Sequence, residues 1–293
     1  MMQTITRKAY AKINLSLDVT GVLPNGYHSV RMVMQTVGLY DELTFTKAET
    51  GLTVLIENDL GVPLEADDSN LVVKAAKKLL DTETSGVQIV LKKHIPIAAG
   101  MAGGSTDAAA TLLGINELYA LGKTKEELCA IGVTLGADVP YCIMGGTMLA
   151  EGIGEVLTRV EGLPKLTLAI AKPEEAVSTK YVYEHLDAIE NPPHPDVDAM
   201  LTAIREGNTE GICANLGNIL EEVTLPVCPK VSVIRSFFAA HGAKGVLMSG
   251  SGPTVFAIYD SAQEAQAAID ALRAQTDAAK YTFVTTTVGS ENE

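Results

Sequence analysis

From Arg7 to Val19 the chain alternates without a break. Ala9, Ala11, Ile13, Leu15, Leu17 and Val19 fall on one parity, and Lys8, Tyr10, Lys12, Asn14, Ser16 and Asp18 on the other. A period of two belongs to a strand with one apolar and one polar face, so this segment commits the chain to a sheet. Partners follow. Pro24-Asn25-Gly26 is a turn, Val30–Thr36 and Glu42–Thr46 are strand candidates, and Thr50-Gly51 turns the chain into Leu52–Glu57. The N-terminal part therefore reads as antiparallel hairpins.

Helical spacing begins after Ser69-Asn70, where Leu71, Ala75 and Leu79 share a face opposite Lys74, Lys77 and Lys78. Val87–Leu91 is a strand. A helix runs from about Ser105 to Ala120, and the capping box Thr124-Lys125-Glu126-Glu127 opens another that ends near Gly136. Thr147–Ala150 and Glu155–Val160 form a hairpin around Gly152-Ile153-Gly154. Further on come a strand at Leu166–Ala171 and a stiff connector at Asn191-Pro192-Pro193-His194-Pro195. Helices are expected at Val197–Arg205, Ile212–Glu222, Pro229–Ala240 and from Ser261, with strands at Val246–Met248, Thr254–Tyr259 and Tyr281–Val288. Strands first and mixed elements afterwards make this an α+β chain.

Composition limits what such a fold can serve. The 293 residues carry 22 Lys+Arg against 36 Asp+Glu, a net charge of −14. That balance argues against nucleic acid and against an anionic membrane surface as partners. Hydrophobic residues make up 47% with aromatics at 5% and no Trp, so the core is aliphatic. The longest charge-free stretch, Gly245–Tyr259, is too short to span a bilayer, and Met1-Met2-Gln3-Thr4 leads into no apolar signal core. A cytoplasmic location is expected. Cys129, Cys142, Cys213 and Cys228 form no C-x-x-C pair and read as buried free thiols, and His94, His185, His194 and His241 lack ligand spacing.

Chemistry concentrates in a few places. Ile95–Ala110 contains Gly100-Met101-Ala102-Gly103-Gly104-Ser105-Thr106-Asp107 and runs into a helix start, where free N–H groups favour phosphate. The bland alternative is a glycine turn capped by Ser or Asp. Ser249-Gly250-Ser251-Gly252-Pro253 is either an ordinary hairpin turn or the opposite wall of the same phosphate site. Lys12 is either a solvated strand lysine or, beside Asn14 and Tyr10, part of a cleft. Asp138, in Leu135-Gly136-Ala137-Asp138-Val139-Pro140, either caps a turn or serves as a base. Gly26-Tyr27-His28 either means nothing or pairs a stacking ring with an imidazole.

Taken together, Ile95–Ala110 resembles the phosphate-loop motif of the GHMP kinases, and Leu247–Thr254 resembles their C-terminal glycine motif. The flanks Ala11-Lys12-Ile13-Asn14-Leu15, Asn25-Gly26-Tyr27-His28 and Leu135–Pro140 narrow the likeness to members that phosphorylate a cytidine diphosphate-linked alcohol in the non-mevalonate isoprenoid route. The resemblance runs from Lys8 to about Tyr259. Met101, Thr106 and Asn25 depart from the commoner Leu, Ser and Asp.

The resemblance implies a two-domain GHMP kinase fold. Its N-terminal domain, residues 1–160, is ribosomal protein S5 domain 2-like with a left-handed βαβ crossover, and its C-terminal domain, 161–293, is an α/β sandwich. It implies ATP and Mg²⁺ as cofactors and a small-molecule cytidine diphosphate substrate, in a monomer or weak homodimer. Lys12 and Asp138 match the catalytic pair, and Asp107 would stabilise the helix start or reach the metal through water. Pro96, Ala98, Ala99, Gly100, Met101, Ala102, Gly103, Gly104, Ser105 and Thr106 match the nucleotide loop. Asn14, Tyr27, His28, Tyr183, Gly250 and Ser251 match substrate positions. Another GHMP kinase, acting on homoserine, mevalonate or a sugar, would have no use for Tyr27-His28. A non-catalytic sensor on the same fold would have no use for the lysine–aspartate pair.

Overall fold

The computed structural model describes residues 3–24, 26–58, 60–61 and 63–289. Asn25, at the tip of the expected turn, lies outside them, as do Met1 and Met2.

Strands β1 (Thr4–Val22) and β2 (His28–Ala48) form one long antiparallel hairpin, from Thr4 opposite Thr46 to Val22 opposite His28. The two shorter strands expected over 30–46 are one. Their join is a register shift, Tyr10 pairing Tyr40 and Lys12 pairing Thr36, and within it Val37 bridges to Thr287. β3 (Leu52–Asn58) does not hairpin onto β2. It pairs in parallel with β4 (Gly86–Lys93), the chain crossing between them through α1 (Leu71–Leu79), and β4 is the strand that lies antiparallel against β2. A parallel pair needs such a crossover, which the helix pattern over 71–79 supplied.

Next come α2 (Gly103–Leu118) and α3 (Lys125–Gly132), the latter opened by the expected capping box at Thr124 and ending four residues early. An unforeseen helix, α4 (Val139–Met144), carries Pro140 in its first turn, where a missing N–H costs nothing. β5 (Thr147–Glu151) pairs with β2 and with β6 (Val156–Arg159).

The remaining chain runs β7 (Thr167–Lys172), α5 (Thr179–Leu186), α6 (Val197–Arg205), α7 (Thr209–Ala214), β8 (Gly217–Asn218), α8 (Glu221–Val227), α9 (Pro229–Ala240), β9 (Gly245–Met248), β10 (Val255–Tyr259), α10 (Ala262–Gln275) and β11 (Tyr281–Thr286). Its sheet has the order β11-β7-β10-β9, every pair antiparallel. The helix expected over 212–222 is three elements. β8 breaks it and pairs in parallel with β1 at Ser16 and Leu17, because Asn215 ends α7 and Gly217 packs where a Cβ would come within 2.6 Å of Pro195.

The apolar parity of β1 is buried as predicted: Ala11, Ile13 and Leu15 pack with Ile170, Phe256 and Ile258 of the second sheet and with Met200 and Ile204 of α6. The opposite face of that sheet packs α9 and α10 through Ile234, Phe238, Ile269 and Leu272. The polar parity of β1 differs from expectation. Lys12, Asn14 and Ser16 are buried too: loops from both halves of the chain close around the first two, and Ser16 pairs with Gly217 of β8. The four cysteines are free, but only Cys228 is buried and the other three are half-buried. Among the described residues, no single helix is long and apolar enough to cross a membrane.

Candidate active site

Lys12 and Asn14, from the polar parity of β1, line a cleft of about 820 Å³. Lys12 Nζ donates to Asn14 Oδ1 at 2.8 Å and stands 3.8 Å from Asp138 Oδ2. Lys12 is 5% exposed, which rules out the solvated-lysine reading. Asp138 sits at the N-cap position of α4, yet its side chain caps nothing there. The turn-cap reading therefore fails as well, and the carboxylate is turned toward Lys12.

One wall is the first glycine loop. The N-cap of α2 is Ala102, in the left-handed conformation at φ 57°, with no side-chain cap bond. A glycine turn capped by Ser or Asp is thus not what the chain builds; the helix start lies open to the cleft through Gly103, Gly104 and Ser105. Facing it is the second glycine loop. Ser249 Oγ donates to the Gly100 carbonyl at 3.0 Å, and a Cβ on Gly100 would stand 2.2 Å from the Ser249 carbonyl oxygen. The loops touch at their glycines, and Gly250 and Ser251 face the same cleft.

The segment that defeated helical periodicity holds that second loop in place. Asn218 on β8 donates to the carbonyls of Met248 and Gly250 at 2.9 and 2.8 Å. Glu221 accepts from Met248 N–H at 2.9 Å, and Thr224 Oγ1 donates to the Ser251 carbonyl at 3.1 Å.

The far end of the cleft is aromatic. Tyr27 is 60% exposed at its mouth, while His28 and Tyr183 pack ring to ring with centroids 5.0 Å apart. Burial pushes the Tyr183 phenol well above its ordinary range, with the Asp138 charge adding to it, so it stays protonated. Tyr183 lies on α5, absent from the expected elements although its N-cap, Ser178, accepting from Tyr181 N–H, was there to be read. Thr179, Lys180 and Glu184 of α5 also line the cleft and were missed for the same reason.

Three expected loop residues stand apart. Thr106 Oγ1 donates to the Tyr10 carbonyl at 2.7 Å and faces a separate hollow, not the cleft. Met101 is fully buried in the core and contributes to the site only through its carbonyl, which accepts from Lys12 N–H. Pro96 lines a neighbouring hollow of about 360 Å³ with Asn70, Leu71 and Ile97, which meets the cleft at Leu71, Ala98, Gly103 and Gly104. Tyr10 lies in neither, being turned away by the register shift that follows it.

Asp107 is also placed differently from expectation. It is 3% exposed beneath the loop and pairs with Lys93 at 2.7 Å, and Lys93 pairs in turn with Asp41. Asp41 accepts from Ile95 N–H at 2.8 Å, so this buried cluster ties the loop's first strand to its helix. Burial raises the Asp107 carboxyl far above its usual range, Asp41 adding to this and Lys93 opposing it. Lys93 itself is held charged, because the two carboxylates outweigh the cost of its burial.

An open helix start, two interlocked glycine loops and a lysine–aspartate pair in one cleft define a small-molecule kinase of the GHMP class. Residues 70–146 match the GHMP kinases N terminal domain and residues 200–278 the GHMP kinases C terminal domain. The chain is 49% identical to 4-diphosphocytidyl-2-C-methyl-D-erythritol kinase of Lachnoclostridium phytofermentans, over 91% of this chain and 92% of that one. It is 47% identical to the Lachnospira eligens protein of the same name, over 98% and 99%. A crystal structure of 4-(cytidine 5'-diphospho)-2C-methyl-D-erythritol kinase superposes with TM-score 0.80 at 31% identity, covering 97% of this chain and all of the other. L. major mevalonate kinase shares the fold, with TM-score 0.78 at 19% identity over 99% and 97%. The chain belongs to the 4-diphosphocytidyl-2-C-methyl-D-erythritol kinase family.

Proposed function

We propose that this kinase transfers the γ-phosphoryl group of ATP to the 2-hydroxyl of 4-diphosphocytidyl-2-C-methyl-D-erythritol, giving the 2-phosphate and ADP in the non-mevalonate isoprenoid route. The observation that carries the reading is the Lys12–Asp138 pair, 3.8 Å apart between an open helix start and a Tyr27–His28–Tyr183 aromatic end. As the hydroxyl oxygen bonds to the γ-phosphorus and the bond to the bridging oxygen breaks, Asp138 accepts the hydroxyl proton. Lys12, oriented by Asn14, neutralises charge on the transferring group. The amides at Gly103–Ser105 cradle the phosphates, and the nucleoside end of ATP takes the hollow beyond the loop, beside Leu71 and Pro96. Tyr27, His28 and Tyr183 take the cytosine.

A divalent ion fits this site in a restricted way. Among the described residues no three His, Cys, Asp or Glu side chains could cage a metal. Mg²⁺ would suit such a place because it keeps water and phosphate ligands, and the Ser105 hydroxyl, at the helix start that lines the cleft, would be the protein oxygen to hold it. When bound it supplies charge neutralisation to the phosphates. We further propose that 1–160 and 161–293 act as the two ligand-bearing halves, in a cytoplasmic enzyme that is a monomer or weak homodimer.

ADP release over a panel of alcohols tests the reading. Release with the cytidylyl substrate and none with mevalonate, homoserine or galactose is expected. Release with any of those three and none with the cytidylyl compound would overturn it.

A further inference from the structure

One helix grips the His28 ring on two sides. Tyr183, inside α5, meets its face, and Asp187, the C-cap residue one turn further on, meets its edge, with Oδ1 2.9 Å from Nε2. Residues four apart lie on the same side of a helix, so both act on one imidazole. An ionised carboxylate only accepts hydrogen bonds, which puts the proton on Nε2. A neutral imidazole protonated there has Nδ1 as an acceptor. His28 lines the cleft, its side chain 11% exposed, and with Nε2 engaged it is Nδ1 that His28 can offer a ligand.

We propose that Asp187 is a positioning residue for base selection: it fixes His28 with its proton on Nε2, so that Nδ1 accepts the 4-amino group of cytosine and rejects uracil. Cytosine carries a donor at that position, whereas uracil carries an oxygen that is itself an acceptor. A mismatch of this kind is costly, because it leaves two acceptors facing each other at a ring that is only 11% exposed. An imidazolium would reverse the preference, since its Nδ1 would be a donor. The proposal rests on the reading that the cleft holds a cytidylyl group, and it adds the residue that sets the discrimination.

Calorimetry on the full chain with CDP and UDP tests it. Wild type is expected to bind CDP more tightly. Asp187→Ala should reduce the CDP-over-UDP ratio by about tenfold, the value of one well-placed base contact. Asp187→Asn, whose amide oxygen still accepts from Nε2–H, should keep most of it, and KM for ATP should hold in all three proteins. The ¹⁵N spectrum of histidine-labelled protein, with His28 assigned by its loss in His28→Gln, should show Nδ1 unprotonated. A protonated Nδ1 overturns the proposal, as does a ratio unmoved by Asp187→Ala or lost equally in Asp187→Asn. Those results leave the cytidylyl reading standing. No preference for CDP in wild type removes that reading and the proposal together. Asp187 is half exposed, so its replacement leaves the core untouched.

Discussion

At the scale of the residue, what separates the proposed working groups from bystanders is whether a side chain is already committed to the protein backbone. Thr106 is, through the Tyr10 carbonyl, and Asp138 is not, though it stands at a helix N-cap where Asp normally bonds a backbone N–H. Asp138→Asn should therefore leave α4 and ATP affinity nearly unchanged while lowering turnover by a factor of ~10² or more. Single-turnover kinetics beside nucleotide binding make the comparison, and undiminished turnover would remove Asp138 from the proton transfer. Residue types at a site were legible in the sequence; their commitments were not. Lys12 and Asn14 showed as a parity and Asp138 as a carboxylate among apolar neighbours. That Thr106 turns away from the cleft, and that Asp107 is locked to Lys93, depends on which strand lies beneath α2, and no local pattern encodes that.

At the scale of the element, the site depends on two loops that cross at glycine. Gly100 has φ +69°, and a Cβ there meets the Ser249 carbonyl, a backbone atom that cannot swing aside. Gly100→Ala should cost about 2 kcal/mol or more, combining the left-handed penalty with the clash, and should depress turnover because the loops must part. Gly104→Ala makes the comparison. Its Cβ would meet only Leu71 at 3.4 Å inside α2, where alanine favours the helix, so it should stay within ~1 kcal/mol of wild type in chemical denaturation. Equal losses in the two variants would mean that the crossing is not what holds the loops. Elements with strong local signals were read well: the capping boxes at Thr124 and Ser261 and the helices over 197–205 and 229–240 lie where expected. The failures include α4, α5 and the short elements of 209–227, besides the β2–β3 hairpin that is not formed. Their structure answers to a distant partner, as β8 does in pairing with β1.

At the scale of the molecule, the two halves share their apolar interior. Ala11, Ile13 and Leu15 of the first sheet pack against Ile170, Phe256 and Ile258 of the second, and Val37 bridges to Thr287. The proposed division near residue 160 is therefore one of ligand binding rather than of folding. The full chain should unfold in one cooperative transition, and residues 1–160 expressed alone should bind a hydrophobic dye and melt without a sharp midpoint. A fragment with a sharp transition of its own would contradict this. The net charge of −14 belongs at this scale too. It bears on polymers and surfaces, whereas the anion recognition proposed for the cleft is local, carried by backbone amides and one buried lysine.

Strand β1 presents Lys12 and Asn14 to the cleft and Ile13 and Leu15 to the core, in alternation. That arrangement restricts how descendants of this chain can diverge. A single codon inserted or deleted between Leu15 and the hairpin turn would exchange the two sets, sending an isoleucine into the proposed phosphate site and a lysine into the hydrocarbon interior. Lineages can change this strand by replacing letters, but not by lengthening or shortening the word.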